Sequence, residues 1–323
     1  MARFIRIAML AAAAAPVVLL SGPAPAQQIK PIAVGATLDY TRQFDLHSKI
    51  NGESYRIQMS IPAGPPPSAG YPVIYVLDGN IFFGTFAGAM RRRALAGELD
   101  EAIVVGIEDG EGPNSAIRTL DCTYVRLPLR DRTIMKEFTP QSKTGGGEEF
   151  LRVIQAEIEP TVAAFAPIDQ HRKAIFGWSL AGLFVVRTML AHPEAFETYL
   201  ATSPSLWFAD REAFGRVAAF ERNVALKGLH PRLFIGVGKY EQDPSVNYFP
   251  GELHDIWAGE LSHARMVDNA RDMHSALAPL FRSRPNDEFF RIFQDDTHAS
   301  VNWNAINPVL NFSFGRGVFA EER

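Results

Sequence analysis

Apolar runs of strand length alternate with longer stretches of helical period along most of this chain. Residues 72–77, Pro-Val-Ile-Tyr-Val-Leu, are almost continuously apolar and stop at Asp78-Gly79-Asn80. Such a run predicts a strand buried on both faces and closed by a turn. The signature recurs at 102–107, 174–176, 198–202, 233–237 and 288–293. Between these runs, the spacing of apolar residues predicts helices over 81–96, 148–166, 211–220, 261–281 and 300–312. Ahead of the first buried run, two β-rich stretches, 37–48 and 54–61, flank Asn51-Gly52, a hairpin signal. Residues 109–147 break the alternation. They carry little periodicity, contain Gly145-Gly146-Gly147, and are long enough to read as a functional loop.

A hairpin followed by alternating strands and helices predicts an α/β fold. Its central sheet is mostly parallel, with antiparallel strands at the start and helices on both faces. Ligands of such sheets bind beyond the carboxyl ends of the strands. The Asp78-Gly79-Asn80 turn, Ser179, Glu241 and His298 all fall at those ends.

The first residues stand outside this pattern. Arg3 and Arg6 precede an apolar run over 7–20, and Ala24-Pro25-Ala26 follows a Ser-Gly-Pro break. This reads as a secretory signal peptide over 1–26, leaving 27–323 as a single domain. The run is short and quickly followed by proline and glycine, so no stable membrane insertion is expected after cleavage. Cys122 is the only cysteine, which excludes a bridge within the chain. Burial must supply the stability, and 323 residues with 47% hydrophobic content suffice for a sizeable core. A formal charge of −4 and a pI near 6.1 leave no basic footprint for nucleic acid. No H-E-x-x-H or paired Cys/His spacing occurs, so the sequence calls for neither a metal nor another cofactor. Nothing in the pattern sets an oligomeric state.

Residues 174–184 carry the strongest chemical signal. The strand Ala174-Ile175-Phe176 stops at Gly177, Ser179 follows, and small residues at Ala181 and Gly182 lead into an apolar helix. The G-x-S-x-G nucleophile elbow has this layout, with Ala181 standing where the second glycine usually sits. The serine of such an elbow holds a strained backbone, and its neighbours must be small enough to clear it. A hydroxyl is a weak nucleophile and needs a base, commonly a histidine oriented by a carboxylate. In α/β-hydrolases the acid and then the histidine follow the serine. Of eight histidines, His298 is the one that directly follows the last strand. Glu241 and Asp243 both follow the 233–237 strand; Glu241 is preferred, because Asp243 before Pro244 suits a turn. A Ser–His pair without an acid stays open. The backbone N–H of Leu180 is the first candidate donor to an oxyanion, with Gly79 or Asn80 as the second. Trp178 and Trp207, beside these strand ends, are candidates to line the substrate site.

These positions sit in longer stretches: Tyr71-Pro72-Val73-Ile74-Tyr75-Val76-Leu77-Asp78-Gly79-Asn80, Gly177-Trp178-Ser179-Leu180-Ala181-Gly182-Leu183-Phe184, Ser203-Pro204-Ser205-Leu206-Trp207, Gly236-Val237-Gly238-Lys239-Tyr240-Glu241 and Thr297-His298-Ala299-Ser300-Val301. In that order they resemble the esterase D-like branch of the α/β-hydrolases, and look closest to bacterial ferric-siderophore esterases of the enterobactin- and bacillibactin-esterase type. The resemblance implies an α/β-hydrolase fold, Ser179 as nucleophile, Glu241 as acid, His298 as base and a small-molecule ester as substrate. It also implies that Arg130 or Arg132, near Phe138-Thr139-Pro140, faces an anionic substrate. The branch includes feruloyl and acetyl-sugar esterases, S-formylglutathione hydrolases and mycolyl transferases. The expectation is an exported serine esterase, beside two alternatives: an acyltransferase of the same fold, and a binding protein that has lost turnover.

Overall fold

A computed structural model describes Leu38 and residues 40–109, 115–127, 143–246, 258–259 and 261–320. The leader-like segment 1–26, Arg130, Arg132 and Phe138-Thr139-Pro140 lie outside the described residues. Strands β1 (Thr41–His47) and β2 (Ser54–Ser60) form the expected hairpin, with His47 opposite Ser54. The buried runs form β3 (Tyr71–Leu77), β4 (Ile103–Asp109), β5 (Ile168–Trp178), β6 (Thr198–Thr202), β7 (Arg232–Gly238) and β8 (Glu288–Phe293). They build an eight-stranded sheet in the order β1-β2-β4-β3-β5-β6-β7-β8. The β1–β2 and β2–β4 pairs are antiparallel, and every later pair is parallel. This is the α/β-hydrolase fold.

Every residue of β3 is buried, because helices cover both faces of the sheet. On one face, Ile74, Val76, Phe176, Leu200 and Phe234 pack beneath α1 (Gly79–Leu95) and the C-terminal helix Val301–Phe314. On the other, Tyr75, Ile175, Tyr199 and Ile235 meet the remaining helices. Those are α2 (Ala116–Asp121), α3 (Gly147–Val153), α4 (Glu159–Ala163), α5 (Leu180–Ala191), α6 (Val217–Lys227) and α7 (Met266–Phe281); the C-terminal helix is α8. A π-turn, Ile154–Ile158, joins α3 to α4 just ahead of Pro160, whose missing N–H cannot continue a regular ladder. Among the described residues, no helix is long and apolar enough to cross a membrane.

Some expected elements shift. The helix expected over 211–220 is a 3₁₀ turn, Glu212–Arg216, followed by α6, which runs on to a left-handed Gly228. The helix expected over 261–281 starts at Met266, because Arg265 adopts a φ of 44° and interrupts it. The expected loop contains α2, whose six residues are too few to display a period.

One buried acid gives the fold a pH dependence. Tyr55 Oη donates to Asp121 Oδ2 at 2.7 Å, and both residues are buried. Burial pushes the Asp121 carboxyl up to about 7, despite the lowering effect of that hydrogen bond. The folded chain therefore keeps a proton that the unfolded chain releases near the ordinary value of about 3.9. The stability this contributes is complete below the unfolded value and is lost as pH rises through the folded one. Tm should fall between about pH 4 and pH 7, and Asp121→Asn should flatten that slope. Burial raises Asp109 and Glu288 in the same direction, so part of the slope persists. Thermal melts across pH check this; an unchanged slope in the variant would assign the titration elsewhere.

Candidate active site

Strand β5 ends at Trp178 in the middle of the sheet, and Ser179 turns the chain with φ 60° and ψ −119° before α5 begins. A positive φ is strained for a residue with a Cβ, and persists only where the surroundings fix it. Here they do. The Ser179 N–H donates to the Thr202 carbonyl at 3.1 Å, and its own carbonyl accepts from Leu183 at 2.9 Å and Ser205 at 3.0 Å. A Cβ at Gly177 would collide with the Ala181 carbonyl, which explains the first glycine of the elbow. Ala181, in the second glycine's place, is fully buried.

His298 follows β8 and brings Nε2 to 3.0 Å from Ser179 Oγ. Its Nδ1 lies 2.7 Å from Glu241 Oε2. With Nδ1 donating to the carboxylate, Nε2 is left to accept from the serine hydroxyl. Glu241 is 0% exposed, so its oxygens need donors. Ser203 Oγ at 2.5 Å and the Gly238 N–H at 2.6 Å both donate to Oε1, leaving Oε2 for the histidine. Ser203 itself has a φ of 45° at the exit of β6. Asp243 is directed elsewhere: its Oδ1 accepts from the Ser245 N–H at 2.9 Å and hydroxyl at 2.6 Å, and these bonds lower its pKa. It is the turn former its position before Pro244 suggests.

Strand β3 runs beside β5 with Val76 opposite Phe176, which brings the start of α1 next to the elbow. The Asp78 carbonyl accepts from Ile81 at 2.9 Å and Phe82 at 3.1 Å. Gly79 and Asn80 thus lead α1, where the first N–H groups have no partner inside the helix, and Leu180 leads α5 in the same way. A Cβ at Gly79 would stand 2.9 Å from the Gly106 carbonyl carbon and the Ile107 nitrogen, so only glycine lets α1 begin this close to β4. Both helix ends carry the positive pole of the helix dipole. Trp178 donates its indole N–H to the His298 carbonyl at 2.9 Å and lays its ring 4.8 Å from the imidazole, steadying the histidine loop. Trp207 is half-buried in the segment after β6. Ser203, as a partner of Glu241, escaped the sequence reading, because a serine reveals no acceptor until the fold brings one.

The fold is that of the α/β-hydrolases, and the hydrogen-bonded Ser179, His298 and Glu241 stand where that fold carries its chemistry. The sequence profile of the "Putative esterase" family matches residues 48–254, and the chain belongs to that family. The ferri-bacillibactin esterase BesA of Bacillus subtilis is 34% identical over 278 residues, covering 83% of this chain and 87% of BesA. The siderophore triacetylfusarinine C esterase of Aspergillus fumigatus is 30% identical over 293 residues, covering 86% and 94%. Among solved structures, siderophore hydrolase EstA from Aspergillus nidulans is similar with a TM-score of 0.72 at 25% identity, covering 87% of this chain and 95% of that one. The BES protein from Bacillus cereus gives 0.68 at 26% identity, covering 89% and 100%.

Proposed function

We propose that this chain is an exported serine esterase that opens ester bonds in a siderophore or a similar small molecule. The observation that carries the reading is the continuous hydrogen-bond chain from Ser179 through His298 to Glu241. In this mechanism His298 Nε2 takes the hydroxyl proton as Ser179 Oγ attacks the ester carbonyl. The N–H of Leu180, with that of Gly79 or Asn80, holds the oxyanion. The imidazolium returns its proton to the departing alkoxide, and a water activated by the same ring then hydrolyses the acyl-enzyme. Glu241 fixes the ring's tautomer and stabilises its charge. The names of BesA and the triacetylfusarinine C esterase support siderophore esters as the substrate class. The family resemblance supports Arg130 or Arg132 as the positive charge for an anionic substrate, with Trp178 and Trp207 lining the site. The Arg3/Arg6 start and the Ala24-Pro25-Ala26 end of the leader-like segment support export.

The test compares ferric trilactone siderophores with short-chain p-nitrophenyl esters, using protein recovered from periplasm or medium. Both should be hydrolysed, with the higher kcat/KM on the siderophore. Turnover of the p-nitrophenyl esters alone would remove the siderophore assignment, and turnover of neither would remove the esterase reading. Protein confined to the cytoplasm with Met1 intact would remove export.

A further inference from the structure

Arg118 touches both pieces of backbone on which the chemistry at Ser179 depends. Its Nε donates to Asp78 Oδ1 at 2.5 Å and its Nη2 to Asp78 Oδ2 at 2.9 Å. The same Nη2 reaches the Trp178 carbonyl at 3.1 Å. Trp178 immediately precedes the nucleophile, and Asp78 immediately precedes Gly79 and Asn80. One planar group therefore spans the ends of β3 and β5.

Asp78 is held in the left-handed region, with φ 54° and ψ 48°. Most residues with a Cβ avoid that region, and aspartate is among the few that enter it. The orientation of the Asp78–Gly79 peptide decides where the leading N–H groups of α1 point. A bidentate, charge-assisted fork fixes a carboxylate in angle as well as distance, which a lysine's point charge does not. The pair is sequestered, with 10% and 5% of the two side chains exposed, so Arg118 is not placed to receive a substrate anion. Its own helix is anchored. Ser115 Oγ accepts the Arg118 N–H at 2.9 Å and donates to the Asp109 carboxylate at the end of β4. The Leu120 carbonyl accepts from Gly146 at 2.9 Å.

We infer that Arg118 is a positioning residue of the oxyanion hole, locking the Asp78-Gly79-Asn80 turn against the elbow; the inference rests on the serine-esterase reading above. A donor displaced by a fraction of an ångström weakens its hold on the oxyanion, which exists only once the serine has attacked. The loss should appear in kcat and leave substrate binding in place.

Arg118→Lys keeps the charge and removes the fork, and Asp78→Asn keeps the size and removes the carboxylate. Each should lower kcat by about 10- to 100-fold, short of or equal to the loss of a whole donor, with KM within about threefold of wild type. Affinity for a trifluoromethyl ketone, whose adduct on Ser179 puts an oxyanion in the hole, should fall by a similar factor. The double variant should lose little more than either single one, since both break the same contact. Folded variants that keep kcat within about threefold of wild type, or lose kcat with ketone affinity unchanged, would overturn the assignment and leave the pair as an anchor for α2. A wild-type protein that neither hydrolyses esters nor binds the ketone would instead overturn the esterase reading, and this inference with it.

Discussion

Replacing Ser179 with alanine should reduce kcat by several powers of ten, about 10⁶-fold where the members of a triad act as a unit. The elbow presents the hydroxyl to His298 at 3.0 Å, and the Leu180 N–H leads a helix beside it. No neighbouring group replaces that oxygen. Ser205 Oγ lies 3.4 Å from it, but Ser205 is itself only 2% exposed. The fold should barely respond, because the change removes one half-buried hydroxyl and leaves the strained backbone bonded to Thr202, Leu183 and Ser205 as before. A fluorophosphonate should label the wild type on Ser179 and leave Ser179→Ala bare, with both melting within a few degrees. Substantial ester hydrolysis in the variant, with the probe attached elsewhere, would mean that the elbow is not the reacting centre.

His298→Ala and Glu241→Ala should rank in opposite orders for activity and for stability. On the proposed mechanism the histidine moves protons at both half-reactions, so its loss should approach the cost of losing Ser179. The glutamate there only orients and stabilises, and its loss is expected near 10⁴-fold. For stability the order reverses. The His298 side chain is 29% exposed, and water can take its place, whereas Glu241 is 0% exposed. Removing Glu241 strands the Ser203 hydroxyl and the Gly238 N–H, each a buried donor whose orphaning costs about 1–3 kcal/mol. Kinetics and thermal melts on both variants decide the point. A glutamate variant with the lower kcat/KM would reverse the assigned roles.

Much of this layout was legible in the residues. Thr198–Thr202 and Glu288–Phe293 have the bounds their apolar character predicts, because turn-forming or polar residues close them. Ser179, Glu241 and His298 were legible because each follows a strand that announces itself. The rest depended on partners that lie far away in sequence. Strand β5 reaches back to Ile168 through Asp169, Gln170 and His171, polar residues no apolar pattern marks; they lie at a register shift between the Ile168–Tyr71 and Lys173–Val73 pairs, which hold the strand on either side of them. The end of α6 could have been read from Gly228, a glycine cap, had the helix not been placed too early. Arg118 was illegible for a different reason. Its role exists only because Asp78 and Trp178, forty and sixty positions away, end on adjacent strands.

The order of the strands also distributes robustness unequally across the site. Ser179 leaves β5, which has neighbours on both sides, whereas His298 leaves β8, which among the described residues has β7 on one side only. Local opening costs least where fewest contacts break, and an outer strand has half the ladder to break. On the proposed mechanism, any opening of β8 would carry away the proton acceptor while the hydroxyl stays in its turn, so the protein would be disarmed before it is unfolded, and rearmed when that strand re-pairs.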